Sequence, residues 1–212
     1  MRGDTWAVSN RGSVIDPALE RPLLKLHRAV DVKSFWKAVQ RLLSTSIANH
    51  SIGLLLQQNP GIPITAKWAR FMPEDFFAEP LTRCARQRRR KKVVRLNDLF
   101  RNRSSFLKSS FYRRYLLPQK CAHGVTLFFW KQQELICSIA VLRTPKQGDF
   151  SQDEIELLRQ LYPQLLAALR RLQSLERERS VRTDLEEFLR RLPFPTIILR
   201  WNLKLIYQNT AA

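Results

Sequence analysis

Three histidines, three cysteines and one pair of adjacent carboxylates are the residues of this chain best suited to chemistry, and their spacing leaves them little to do. His27, His50 and His123 stand apart in sequence, with no His-Glu-x-x-His run for a metal and no Gly-x-Ser-x-Gly elbow for a nucleophile. Cys84, Cys121 and Cys137 are widely spaced and odd in number. They fit buried thiols in a reducing compartment and give neither a zinc site nor a disulfide framework. Six glycines in 212 residues leave no glycine-rich loop to cradle a phosphate. Asp153 and Glu154 are neighbours, but Glu154 stands three residues after Ser151, where a helix-capping box uses it. General acid or base work is not expected of it. Asn102-Arg103-Ser104 matches a glycosylation sequon, which has no meaning in a cytosolic protein. The pattern motivates no enzyme, no resident metal and no cofactor.

Charge is the more unusual property. The formal net charge is +19, and between Arg83 and Lys120 fourteen Lys or Arg face a single acidic residue, Asp98. The densest part holds Arg86, Arg88, Arg89, Arg90, Lys91 and Lys92. Such a field attracts polyanions with strong salt dependence, so weak nonspecific binding to nucleic acid is one expectation. The other is a solvated helix end, where cations complement the helix dipole. A basic-patch nucleic-acid-binding protein without sequence specificity is the alternative function this stretch allows. The patch lacks the interleaved aromatics of single-strand binding surfaces. No apolar run approaches the ~20 residues that span a bilayer, and the first residues, with Asp4 and Asn10, form no secretory signal. A cytoplasmic protein with no membrane partner is expected.

An apolar content of 44% calls for a folded core. Residues 1–20 lack periodicity and read as a loose tail. Asp31 then caps a helix whose Phe35, Trp36, Val39, Leu42, Leu43 and Ile47 recur at three- and four-residue spacing. Ser51 to Gln57 and Ile62 to Arg70 are the arms of a hairpin around Gln58-Asn59-Pro60-Gly61. Pro73 and Pro80 suit first helical turns, Val93 to Leu96 a short strand, and Asn97 to Phe100 and Ser109 to Leu117 helical pieces. Gly124 to Trp130 and Leu135 to Leu142 predict a second hairpin. Its strands alternate poorly, with Val125, Leu127 and Phe129 pointing one way and Phe128 and Trp130 the other. Both faces of the sheet should therefore be covered.

Residues 148–192 read as one long helix, opened by the Ser151 and Glu154 box between Phe150 and Ile155. Leu158, Leu165, Leu172 and Leu175 form a leucine seam, Pro163 predicts a bend, and Pro193 closes the helix. The seam can pack on its own domain or on a second copy of the chain. The order of elements is an α+β plan: an antiparallel sheet covered by helices on both faces, a long C-terminal helix and a terminal β-hairpin.

Gly148-Asp149-Phe150-Ser151-Gln152-Asp153-Glu154, followed by Ile155, Leu157 and Leu158, resembles the closing signature of a GAF domain. Ser110-Phe111-Tyr112-Arg113-Arg114-Tyr115 with Pro118 resembles the GAF-like sensor region of bacterial LuxR-type transcription regulators. Leu192-Pro193-Phe194-Pro195, the strands Thr196 to Trp201 and Lys204 to Gln208, and Asn209-Thr210-Ala211 are similar to the opening of a PAS domain. The resemblance implies a tail at 1–20, a GAF-like sensor domain at 21–170, a linker and dimerisation helix at 171–192 and a truncated PAS-like start at 193–212. It further implies a homodimer, a small-molecule ligand of unknown identity, and DNA contacted through a helix-turn-helix domain absent from this chain. The ligand pocket of such a domain would be lined by Trp68, Phe71, Phe111, Tyr112, Tyr115, Cys121, His123 and Phe129. The same aromatics can equally fill the core. Cys121-Ala122-His123 lacks the spacing of bilin-binding GAF domains, and Phe150 to Asp153-Glu154 lacks that of the cyclic-nucleotide-binding ones.

Overall fold

The computed structural model of the chain describes residues 16–56, 65–68, 76, 91–132 and 134–211. Helix α1 (Pro17–His27) opens it, with Asp16 accepting a hydrogen bond from the Ala18 amide and Pro17 in the first turn. Residues 17–20, expected to belong to a loose tail, are therefore helical. Pro22 inside α1 disguises the helix in the sequence, yet its face of Leu19, Leu23 and Leu26 is buried. Helix α2 (Val32–Ser46) starts as the sequence predicts, with the Asp31 carboxylate accepting from the Ser34 amide at 2.7 Å.

Strand β1 (Ser51–Leu56) pairs with β2 (Thr65–Trp68) on one side and with β5 (Glu134–Arg143) on the other. Strands β4 (His123–Lys131) and β3 (Val93–Arg95) complete an antiparallel five-stranded sheet in the order β2-β1-β5-β4-β3. Between β3 and β4 the chain forms a 3-10 turn at Leu96–Leu99, the short helix α3 (Arg103–Lys108) and a π-helical segment at Tyr112–Leu116. The tip of the first hairpin and, apart from Phe76, the segments begun by Pro73 and Pro80 lie outside the described residues.

Each sheet face has its own core. Odd positions of β4 and β5 and even positions of β1 meet α1, α2 and the long helix α4 (Gln152–Arg190). The opposite face meets Leu96, Leu99, Phe106, Phe111, Tyr115 and Leu116. Helices on both faces are thus the α+β plan expected from the order of elements.

Helix α4 begins at the box read from sequence: Ser151 Oγ accepts from the Glu154 amide at 3.1 Å and the Glu154 carboxylate accepts from the Ser151 amide at 2.8 Å. It stays helical through Pro163 and through Glu176-Arg177-Glu178-Arg179. Arg190 is its last residue, just before the proline expected to stop it. Leu158, Leu165 and Leu172, expected as a seam between two copies, are each no more than 1% exposed and lie in the domain's own core. An antiparallel sheet presents a whole apolar face, and this seam is the stripe that covers it. Leu175 is half-buried, and beyond Leu172 α4 contributes no fully buried side chain. Arg171 donates to the Ala29 carbonyl, and His27 and Gln164 share a hydrogen bond, which hold the first half of α4 on the domain. A separate hairpin of β6 (Ile197–Leu199) and β7 (Leu205–Gln208) follows. The buried Asn209 amide ties it to the end of α4, donating toward the carbonyls of Leu189, Leu192 and Phe194.

Candidate functional site

Strand register assigns the small and polar residues of the central strands to one face. Thr126 stands opposite Ala140 and Val94, Ser138 opposite Leu55 and Phe128, and Ser51 opposite Leu142. Paired residues share a face, and Leu55, Val94, Phe128, Ala140 and Leu142 all belong to the second core. The hydroxyls of Ser51, Thr126 and Ser138 therefore point toward that core. All three are buried and have no hydrogen-bond partner among the described residues. Each unpaired buried hydroxyl costs about 1–3 kcal/mol, which makes three on one face a concentrated expense.

Above them lies an aromatic cluster. Phe76 packs 5.3 Å from Phe111 and 5.9 Å from Tyr115 between ring centroids, while Phe106 meets Phe100 at 5.2 Å and Tyr112 at 5.3 Å. Of the residues expected to line a pocket, Phe111, Tyr115 and Cys121 are buried in this cluster and Tyr112 is half-buried against it. Phe129 is not part of it. It faces the opposite core and stacks on Tyr162 of α4 at 4.6 Å, because strand alternation sends it away from Phe128. Phe71 and the side chain of Trp68 lie outside the described residues. Phe76, Phe106, Phe128 and the three hydroxyls were not singled out from sequence. Alternation along β4 was the available signal for Thr126 and Phe128; no comparable signal marks Phe76.

His123 sits at the start of β4 in a cleft lined by Asn97, Arg103, Phe106, Ala122 and Gly124. Its Nδ1 is 3.6 Å from Asp149 Oδ1. Burial lowers the imidazole pKa, with the Asp149 carboxylate opposing that shift. Among the described residues, no three His, Cys, Asp or Glu side chains come together as a metal site. None of the described helices is long and apolar enough to cross a membrane.

Next to His123 across the ladder is Arg143, the buried Lys or Arg among the described residues. Its Nε donates to the Ala48 carbonyl at 2.7 Å, Nη1 to the Asp149 carbonyl at 3.2 Å, and Nη1 and Nη2 grip both oxygens of Glu154. The guanidinium also lies 4.2 Å from the Phe150 ring centroid. These bonds join the loop before β1, the end of β5 and the first turn of α4. The hydrogen bond from Arg143, reinforced by the Ser151 amide, holds the Glu154 carboxyl below the usual carboxylate range. Capping alone was the role read for Glu154; the arginine was invisible because it lies in another element.

Of the basic patch, Arg86, Arg88, Arg89 and Arg90 lie outside the described residues. Lys91 and Lys92 are exposed, and Lys92 Nζ lies 5.4 Å from the Tyr162 ring centroid.

No protein-family model matches the chain, and no curated protein matches it. Solved structures do. The LBD domain of VqsR from Pseudomonas aeruginosa aligns with a TM-score of 0.59 at 16% identity, over 76% of this chain and 99% of that one. An N-acylhomoserine lactone dependent LuxR family transcription factor, CepR2 from Burkholderia cenocepacia, aligns with a TM-score of 0.51 at 13% identity. That alignment covers 74% of this chain and 94% of the other. At these identities the likeness is one of fold.

Proposed function

We propose that this chain is a non-enzymatic sensory module of a LuxR-type transcription regulator, and that it takes a small amphipathic ligand on the sheet face carrying Ser51, Thr126 and Ser138. The observation that carries the reading is those three buried hydroxyls, without partners among the described residues, beneath an aromatic cluster. A fold keeps such a cost where another molecule supplies the missing bonds. The aromatics suit the apolar part of the ligand, and the hydroxyls suit carbonyl or amide groups. Likeness to the VqsR and CepR2 folds supports the choice of family.

The output runs through Arg143. Ser51 pairs with Leu142, the residue before Arg143, and Arg143 holds the capping glutamate of α4. A ligand that draws β1 and β5 toward itself favours one tilt of α4 over another, to the extent that it binds the two arrangements differently. The far half of α4 carries that bias onward as part of a dimer.

The test uses Thr126→Val with Ser138→Ala and, as first probe, N-octanoylhomoserine lactone, chosen because CepR2 is dependent on N-acylhomoserine lactones. The variant is expected to be more stable than the parent without ligand and to lose the thermal shift that the lactone gives the parent. A variant no more stable than the parent, with the same response to the lactone, would sink the site.

A further inference from the structure

The outer surface of the first two helices carries charge in places that helix stability disfavours. Arg21, Lys25 and Arg28 stand four and three residues apart along α1 and its C-cap, and Lys33, Lys37 and Arg41 stand four apart along α2. All six are exposed, while Leu19, Leu23 and Leu26 of α1 and Phe35, Val39 and Leu42 of α2 turn into the core. Because α1 and α2 pack against each other, the two rows lie side by side on the face of the helical layer turned away from the sheet. The exposed residues of the two helices include a single carboxylate, Glu20.

None of the six cations forms an ion pair among the described residues, whereas α4 pairs Arg159 with Glu156, Arg179 with Glu176 and Arg182 with Glu186. Like charges four apart on a helix repel. Lys33 stands in the first turn of α2, where a cation opposes the helix dipole and no acidic residue offsets it. All six lie outside the basic stretch from Arg83 to Lys120.

We propose that the outer face of α1 and α2 binds the phosphate backbone of duplex DNA without reading its bases. This rests on the functional reading only in the choice of DNA over RNA. At about 1.5 Å per residue each row is roughly 10–12 Å long, which sets three cations beside roughly three phosphates of one strand. The axes of packed helices lie about 8–10 Å apart, between the widths of the minor and major grooves, so each row takes one strand. Two helices side by side are too wide to enter a groove roughly 12 Å across, which confines the contact to the backbone. Aromatic residues on which single-stranded bases would stack are missing from this face, since Phe35 and Trp36 are buried. A lipid surface would need the apolar side of a helix turned outward, and both helices turn theirs inward. A protein partner would need an apolar centre, and this face offers only Leu24 and Val30 at its edge, each about half exposed.

The experiment is fluorescence anisotropy of a labelled duplex DNA with the full chain, from about 50 to about 200 mM salt. One variant combines Arg21→Gln, Lys25→Gln, Lys33→Gln and Lys37→Gln. A control combines Arg86→Gln, Arg88→Gln, Arg89→Gln and Arg90→Gln, which removes the same charge from the densest basic run of the sequence. The helix variant should weaken binding at least 100-fold and reduce the slope of log affinity against log salt by roughly 3 to 4, since each lost phosphate contact removes about 0.9. The control should weaken binding no more than about tenfold. Circular dichroism should show the helix variant folded, because its four positions are exposed. A parent that does not bind the duplex overturns the proposal, as does a control that loses as much as the helix variant. Tighter binding to single-stranded DNA, duplex RNA or phosphatidylserine vesicles than to duplex DNA also overturns it. The lactone shift of the helix variant should equal that of the parent, so failure at the sheet and failure at this surface are read apart.

Discussion

Replacing Arg143 by Met tests the junction between sheet and helix most directly, because Met keeps much of the side-chain bulk and removes the cation. Arg143 is 4% exposed at its side chain and makes four hydrogen bonds, two to backbone carbonyls and two to Glu154. Bonds from a charged donor contribute about 1.5–3 kcal/mol each, and the contact with Phe150 adds about 1 kcal/mol. Against this stands the desolvation cost of the buried guanidinium, which the substitution relieves. Glu154 is 29% exposed and regains water. The net loss works out near the lower end for a broken buried pair, about 3–4 kcal/mol, or a fall in melting temperature of about 10 °C. Glu154→Gln should cost less, about 1–2 kcal/mol, because the amide oxygen still accepts from Arg143. The double variant should show a coupling of at least 1 kcal/mol by urea denaturation. The pH dependence has a defined sign. The Glu154 carboxyl titrates lower in the fold than in the unfolded chain, so its stabilisation is complete above its ordinary value of 4.5 and is lost as pH falls through the depressed one. The gap between parent and Glu154→Gln must therefore narrow in acid. Arg143→Met within 1 kcal/mol of the parent, or strict additivity of the two changes, would refute the view that this pair ties α4 to the sheet.

Three further outcomes follow from packing and burial. Gly124→Ala should cost about 1–3 kcal/mol in chemical denaturation, since a Cβ there would stand 2.9 Å from Leu142 Cδ2 and closer still to Leu96. Leu165→Ala should cost about 2–5 kcal/mol, and Leu165→Asp should unfold the domain rather than release a monomer, as circular dichroism will distinguish. Tyr162→Phe removes the bond from the phenol to the Phe128 carbonyl at 3.0 Å and should cost about 1 kcal/mol. Burial pushes that phenol up to about 12, so its stabilising share is whole below pH 10 and is lost as pH rises through the folded value, measurable by ultraviolet titration.

What could be read from sequence lay within a few residues of itself. Asp31 with Ser34 and Ser151 with Glu154 are caps whose partners are three positions apart, so the starts of α2 and α4 were legible before any fold was known. The two arms of the β4-β5 hairpin and the turn between β6 and β7 were legible for the same reason: apolar runs broken by short polar stretches dictate a return of the chain. Even the α+β plan follows from the order of such local units. Assigning each face to a partner did not follow. Leu158, Leu165 and Leu172 form the same stripe whether they cover a sheet or a second helix, and only the packing of α4 on β4 and β5 gives them to the core. That Phe128 and Phe129 face opposite ways followed from strand alternation, but which of the two cores receives each did not. Thr126, Ser138 and Ser51 are ordinary strand residues until register aligns their hydroxyls on one side, without partners among the described residues. Arg143 and Glu154 meet because β5 ends where α4 begins to turn across the sheet. Caps and turns are decided by a chain's own backbone within one helical turn, whereas burial and pairing depend on which distant surface arrives, and tertiary structure alone supplies that surface.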